Sequence, residues 1–98
     1  MTDTIYQGDV GLEILLDCGR DIAGAFEPAI LARTPSGVVR AFPGALKAVD
    51  GVTRCISYVT QTGDLAEAGV YRLQAFLRLG DWSGTGRTAR LLVRPRFS

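Results

Sequence analysis

The feature that most constrains the fold is an alternating segment at residues 70–79, which directly follows a polar, glycine-containing bend at residues 60–69. One face of the segment carries Tyr71, Leu73, Ala75, Leu77 and Leu79, and the other carries Arg72, Gln74 and Arg78. An alternation with a period of two is typical of an antiparallel β-strand with one buried face and one wet face. The segment therefore predicts a sheet that packs on a core with one side.

Turn signals divide the rest of the chain into further short strands. Asp50-Gly51 is the strongest tight-hairpin signal, because both residues tolerate a positive φ. Pro35-Ser36-Gly37 is a good turn between two more strands. The strands are predicted at residues 9–17, 28–34, 38–42, 46–49, 52–59, 70–79 and 87–95, with a loop at residues 80–86. In the first strand, Val10, Leu12, Ile14 and Leu16 are expected to face inward.

About seven short strands with frequent turns predict an all-β chain, folded as a single antiparallel β-sandwich. The 98 residues suffice for one hydrophobic core and not for two domains. We therefore assign residues 1–98 to one domain, in which residues 1–8 form an N-terminal arm or an edge strand.

The bend that leads into Tyr71 is similar to the tyrosine corner of immunoglobulin-like sandwiches, where a tyrosine hydroxyl ties the entering loop to its own strand. This resemblance implies an immunoglobulin-like sandwich. Cys18 and Cys55 are not placed as an immunoglobulin-type pair, because Leu73 stands two positions after the corner tyrosine. Two cysteines in a chain with an adequate core and no export signal predict free thiols.

The sequence offers no recognisable catalytic chemistry. It contains no histidine, which is the commonest general base and the commonest metal ligand, and two cysteines alone cannot complete a structural zinc site. Asp17 and Asp21 flank a short loop, but Arg20 between them is unfavourable for calcium. The glycine-rich residues 80–86 precede a strand and not a helix, so a phosphate site is not expected. We expect a protein that is not an enzyme and has no catalytic residue, cofactor or metal.

Composition favours a protein partner. The formal net charge is +1, which does not suggest a nucleic-acid binder. No apolar run approaches the roughly 18 residues that a membrane span requires, and residues 1–9 are polar and acidic, unlike an export signal. We therefore expect neither nucleic acid nor membrane as a partner.

Charge is unevenly distributed along the chain. Residues 1–27 carry a formal charge of −5, and residues 72–98 carry +5. Glu13 and Asp17 are predicted to point outward from one strand, and Arg90, Arg94 and Arg96 from the end of the chain. Two interpretations follow: an internal lattice of salt bridges between adjacent strands, or a head-to-tail contact with another copy or another subunit.

Two aromatic residues stand out as candidate anchors. Trp82 either covers an open end of the sandwich or projects as a binding residue, since tryptophan and arginine dominate interface hot spots. Phe76 falls on the arginine-bearing face, where Val70 and Leu92 as neighbours would complete an apolar patch. The interface residues we predict are Tyr6, Phe76, Trp82, Arg90, Arg94, Arg96 and Phe97.

Several motifs together resemble a group of small tailed-bacteriophage structural proteins. These motifs are IYQGDVG at residues 5–11, DCGRDIAGA at 17–25, YVTQTGDLAEAG at 58–69 and RPRF at 94–97. The group is immunoglobulin-like and similar in style to the N-terminal domain of phage baseplate upper proteins. Where its members often carry Arg-Lys-Pro-Asp-Gly, this chain has Arg33-Thr34-Pro35-Ser36-Gly37, which retains the turn. The group has no catalytic residues to carry over.

The resemblance implies a virion structural protein that is made in the cytoplasm of a bacterial host. A capsid decoration or cement subunit that binds the major capsid protein is the leading expectation, in many copies or as a homo-oligomer. A tail, baseplate or fibre-adaptor component that binds tail proteins is the second. A carbohydrate-binding host-attachment module, with Trp82 beside Asp81 as its platform, is the third.

Overall fold

The structure is a computed structural model that describes residues 4–79, 82–86 and 88–97, and at positions 82, 83 and 85 the backbone alone. Eight strands are present in these residues. They are β1 (Glu13–Asp17), β2 (Phe26–Arg33), β3 (Val39–Pro43), β4 (Ala45–Val49), β5 (Val52–Val59), β6 (Gly69–Leu79), β7 (Trp82–Thr85) and β8 (Ala89–Val93).

The strands form two antiparallel sheets that pack as a sandwich. The three-stranded sheet has the order β1-β5-β4. The five-stranded sheet has the order β3-β2-β6-β7, and β8 also pairs with β6. The predicted all-β sandwich is therefore confirmed. Across the described ranges, we find no helix with the length and apolar character needed to cross a bilayer.

The two predicted hairpins are present. Asp50 and Gly51 connect β4 to β5 with φ values of 52° and 80°, as a tight hairpin turn requires. The turn after Arg33 returns the chain antiparallel to β2 as β3. Both turns formed where local chemistry favoured them.

The prediction of a loop at residues 80–86 was wrong over most of its length. β7 pairs with the end of β6, with Leu79 opposite Trp82 and Phe76 opposite Thr85. β2 occupies one side of β6, so β7 and β8 share the other side. Gly86 continues this edge by donating its N–H to the carbonyl of Ala75 at 2.9 Å. The glycines at positions 80, 84 and 86 favour a loop in the sequence. In the structure, residues 82–85 nevertheless form a strand, because their backbone pairs with that of β6.

The core lies between the sheets and takes the predicted alternation of β6 almost unchanged. Tyr71, Leu73, Ala75 and Leu77 are buried, while Arg72 and Arg78 are exposed. The other large buried side chains are Ile14, Ile22, Ile30, Phe42, Ile56, Leu65 and Val93. Tight packing of these apolar faces is the main stabilising contribution available to such a domain.

The first strand begins later than predicted. β1 starts at Glu13, and Val10 is 57% exposed instead of facing the core. Before that point the backbone turns at Gly11, whose φ is 88° and whose N–H donates to the carbonyl of Thr60. A contact with the bend at residues 60–69 therefore replaces ladder pairing here, which alternation alone could not reveal.

The two ends of the chain meet. Tyr6 forms an isolated parallel bridge with Arg94, flanked by hydrogen bonds from Gln7 N–H to Arg94 O and from Arg94 N–H to Ile5 O, both 2.8 Å. The arm thus contacts the carboxyl-terminal segment of its own chain.

Both cysteines are free thiols, as predicted. Cys55 is buried in β5, and Cys18 is half-buried at the end of β1. Burial raises the pKa of the Cys18 thiol.

Candidate docking surface

The predicted interface residues are divided among separate parts of the molecule. One group lies beside the chain ends. Arg94 and Arg96 are exposed, Phe97 is fully exposed, and Tyr6 is half-buried. Arg96 Nε donates to the carbonyl of Gln7 at 2.9 Å, which holds the arginine against the arm.

A second group lies on the outer face of the five-stranded sheet, where Arg90 is exposed and Phe76 half-buried. Trp82 is distant from the chain ends, because it pairs with the end of β6 whereas Val93 pairs with its start. At ~3.3 Å per residue, β6 separates them by roughly 30 Å. The orientation of the Trp82 side chain lies outside the described part of the structure.

The expected patch of Phe76, Val70 and Leu92 does not form. Val70 lies opposite Leu92, and the two are 43% and 53% exposed. Phe76 lies six residues further along β6, opposite Ala29. Arg72 and Gln74 occupy the outward positions between them. Two separate apolar areas therefore flank a polar zone.

Three of the acidic side chains near the amino terminus are paired with bases from other segments. Glu13 binds Lys47 at 2.9 Å, Asp17 lies 3.2 Å from Arg54, and Glu27 lies 3.1 Å from Arg78. Hydrogen bonds from Lys47 and Ser57 lower the pKa of Glu13.

The predicted internal lattice between Glu13 or Asp17 and Arg90, Arg94 or Arg96 is absent from the described residues. The reason is topological. β1 pairs with β5 in the three-stranded sheet, and β8 pairs with β6 in the five-stranded sheet, so the two charged segments are not neighbours.

The strand register brings three arginines side by side on the outer face of the five-stranded sheet. Arg33 in β2 lies opposite Arg72 in β6, and Arg72 lies opposite Arg90 in β8. We call Arg33, Arg72 and Arg90 the arginine row. All three are exposed, and none of them forms an ion pair with a carboxylate of the described residues.

The arginine row was not predicted as a unit. Outward positions were predicted for Arg72 and Arg90, but Arg33 was noted only as part of a turn motif. Its position depends on which strands are neighbours and on their register, which is a long-range property. The sequence indicates only that each arginine occupies an outward-facing position in the alternation of its own strand.

Shallow depressions lie on both sides of the row. One of about 510 Å³ is lined by Arg33, Arg72, Val70 and the β2–β3 turn. The other, of about 330 Å³, is lined by Arg33, Arg72, Leu31, Val39, Gln74 and Thr88. Val39 ends the row on β3 and is 67% exposed. The surface thus alternates guanidinium groups with apolar side chains.

The turn beside the row is held by Glu67. Its two carboxylate oxygens accept hydrogen bonds from Ser36 N–H and Ser36 Oγ, each at 3.0 Å. The Ser36 hydroxyl bond is the main cause of the lowered pKa of Glu67. The same segment is tied to β6, because Glu67 N–H donates to the Tyr71 hydroxyl at 3.0 Å. This is the hydrogen bond predicted from the bend.

A buried polar group stabilises the bend from the other side. Asp64 Oδ2 accepts from Gln61 N–H at 2.7 Å and from the Tyr58 hydroxyl, and its Oδ1 binds Arg40 at 3.1 Å. Phe42 stacks on Tyr58 with ring centroids 4.6 Å apart. Burial, together with the Asp64 carboxylate, raises the pKa of Tyr58 to about 12. Since both carboxylate oxygens of Asp64 have partners within the domain, we interpret this network as structural.

The aspartates considered for calcium have structural roles in turns. Asp17 Oδ1 accepts from Gly19 N–H at 2.8 Å, and Asp21 Oδ1 accepts from Ala23 N–H at 2.9 Å. Within the described ranges there is no group of three or more cysteine or acidic side chains that could hold a metal.

Comparison of the chain with protein-family models, with curated proteins and with solved structures yielded no match.

Proposed function

We propose that the domain is an immunoglobulin-like sandwich, on the basis of its strand order. A variable-type immunoglobulin domain contains the strands B, E and D in one sheet and G, F, C and C′ in the other. β1, β5 and β4 correspond to B, E and D, and β3, β2 and β6 to C′, C and F. β7 and β8 together take the position of G. The hydroxyl of Tyr71 at the start of the F equivalent bonds upstream backbone, as in a tyrosine corner.

We infer that the chain acts as a non-enzymatic virion structural protein of a tailed phage. Its leading role is that of a capsid decoration or cement subunit, present in many copies and bound to the major capsid protein. The motifs that resemble phage structural proteins support the virion role. The observation that carries a docking role is the outer face of the five-stranded sheet, where Arg33, Arg72 and Arg90 have no carboxylate partner among the described residues and lie among exposed apolar side chains.

A tail, baseplate or fibre-adaptor role uses the same kind of surface and differs in where the subunit sits. A decoration subunit lies around local two-fold or three-fold axes of a capsid, whereas tail components form three-fold or six-fold rings. Images of purified particles carrying a tagged copy of this chain separate the two roles. We expect label on the capsid surface. Absence of the chain from purified particles would contradict the virion role itself.

The charge of the carboxyl-terminal region provides a mutational test. Replacing Arg90 and Arg94 with glutamate should reduce incorporation into particles about tenfold, because each reversal turns an attraction to the partner into a repulsion. The measurement is the amount of the chain per purified particle by quantitative mass spectrometry.

Arg20→Glu is the control variant, because Arg20 is exposed in the β1–β2 connection and has no ion-pair partner among the described residues. The thermal midpoint of each purified variant verifies folding. Incorporation of the double variant at the wild-type level would rule out charge-dependent docking through Arg90 and Arg94.

A further inference from the structure

We propose that the arginine row binds an extended, carboxylate-rich segment of a protein partner. This assignment rests on the docking role proposed above, whose partner chemistry it names, but not on a phage origin. Three observations carry it: the register of three arginines, the lack of a carboxylate partner for them among the described residues, and the apolar borders of the row.

The register concentrates like charge at one place. Residues directly opposite in antiparallel strands have Cβ atoms only about 5 Å apart, and like charges there are destabilising. Arg33 and Arg90 both lie opposite Arg72, one on each side. The domain therefore maintains an unfavourable arrangement that a bound anion would relieve.

Within residues 4–79, 82–86 and 88–97, no carboxylate forms an ion pair that would provide that relief. Glu13, Asp17 and Glu27 form ion pairs with Lys47, Arg54 and Arg78. Asp64 binds Arg40, and Glu67, the acid that anchors the neighbouring turn, accepts hydrogen bonds from Ser36. Each guanidinium has five N–H donors, and two of them can bind the two oxygens of one carboxylate in a bidentate geometry.

The dimensions suit an extended peptide. Three arginines on adjacent strands span about 10 Å, which is two strand spacings. In an extended chain, alternate side chains point the same way and lie about 7 Å apart. The carboxylates of two acidic residues that are separated by one other residue would therefore both lie within reach of the long arginine side chains of the row.

The borders favour a protein over a nucleic acid. Val70 and Leu92 lie on one side of the row, Leu31 on the other, and Val39 at its end. A nucleic-acid site is generally part of a larger basic patch on a strongly basic domain. Here the net charge is +1. Mixed apolar and arginine surfaces are instead typical of protein interfaces.

The test uses the full chain and three probes: the peptide acetyl-Glu-Val-Glu-Val-Glu-amide, the same peptide with glutamine for glutamate, and a single-stranded oligothymidine of equal charge. Binding is followed by the NMR signals of the arginine Nε–H groups. We expect the glutamate peptide to shift the signals of Arg33, Arg72 and Arg90. Arg72→Gln and Arg33→Gln should each weaken binding about fivefold, and Arg20→Gln should leave it unchanged.

Other results would overturn the proposal. An equal loss of affinity in Arg20→Gln would mean that net charge alone attracts the peptide. Equal binding of the glutamine peptide would exclude carboxylate recognition, and tighter binding of oligothymidine would identify a phosphate-binding surface. The peptide experiment uses no phage particles, so a negative result would not contradict the virion role. Conversely, absence of the chain from particles would not contradict binding of the glutamate peptide.

Discussion

Tyr71 joins the backbone of the bend to the core through a single hydroxyl. Its ring is buried, with 1% of the residue exposed, and its oxygen accepts the N–H of Glu67. Glu67 in turn holds Ser36 in the neighbouring turn. One buried side chain is thus connected, through Glu67, to the turn that lies beside the arginine row. Such a contact follows from local sequence, since the donor and the acceptor are four residues apart.

We expect Tyr71→Phe to lower the free energy of unfolding by about 1–2 kcal/mol, because Glu67 N–H loses its acceptor while the ring packing is retained. Urea unfolding followed by fluorescence measures the change. Tyr6→Phe is the matched control, since the Tyr6 hydroxyl has no hydrogen bond among the described residues. If both substitutions have the same small effect, the corner hydrogen bond does not stabilise the domain.

The chain crosses from β3 to β4, which lie in different sheets, through a single residue. β3 ends at Pro43 in the five-stranded sheet, and β4 begins at Ala45 in the three-stranded sheet. Gly44 makes the connection, and its N–H donates to the carbonyl of Pro28 at 3.0 Å. A Cβ atom at this position would clash with Ile56 Cγ2. The absence of a side chain lets the crossing stay close to the core.

Gly44→Ala should therefore destabilise the domain by about 1–3 kcal/mol, because fully buried Ile56 is branched at Cβ and cannot move away without disturbing its neighbours. The urea midpoint again reports the change. Gly24→Ala provides a comparison, because a Cβ there would meet Leu79 Cδ1 at an ordinary 3.6 Å. An unchanged midpoint for Gly44→Ala would mean that the crossing has more space than the structure shows.

Across the whole domain, the charges of β1 are balanced by neighbouring strands, whereas one part of the five-stranded sheet carries arginines without a carboxylate partner among the described residues. Glu13 and Asp17 of β1 have basic partners on β4 and β5. The arginine row on the opposite sheet has no carboxylate partner among the described residues. A surface that serves docking can carry such a cost in stability.

This imbalance has a measurable consequence in the isolated domain. Arg72→Gln should raise the free energy of unfolding by a few tenths of a kcal/mol at low salt, because it removes two like-charge contacts. The gain should shrink as salt increases to about 1 M, where screening acts over about 3 Å. Unfolding curves of wild type, Arg72→Gln and Arg20→Gln at both salt concentrations measure it. A gain that is independent of salt would point to a cause other than charge.

The sequence by itself determined the fold class, the hairpins and the corner, because alternation, Asp50-Gly51 and the Glu67–Tyr71 spacing act over a few residues. The tertiary structure decided the rest. β7 lies within the glycine-rich residues 80–86 and is a strand because its backbone pairs with β6, and Val10 is exposed because the backbone next to it hydrogen-bonds to Thr60. The arginine row exists because β2, β6 and β8 pair in one register, and local patterns carry no information on which distant strands become neighbours.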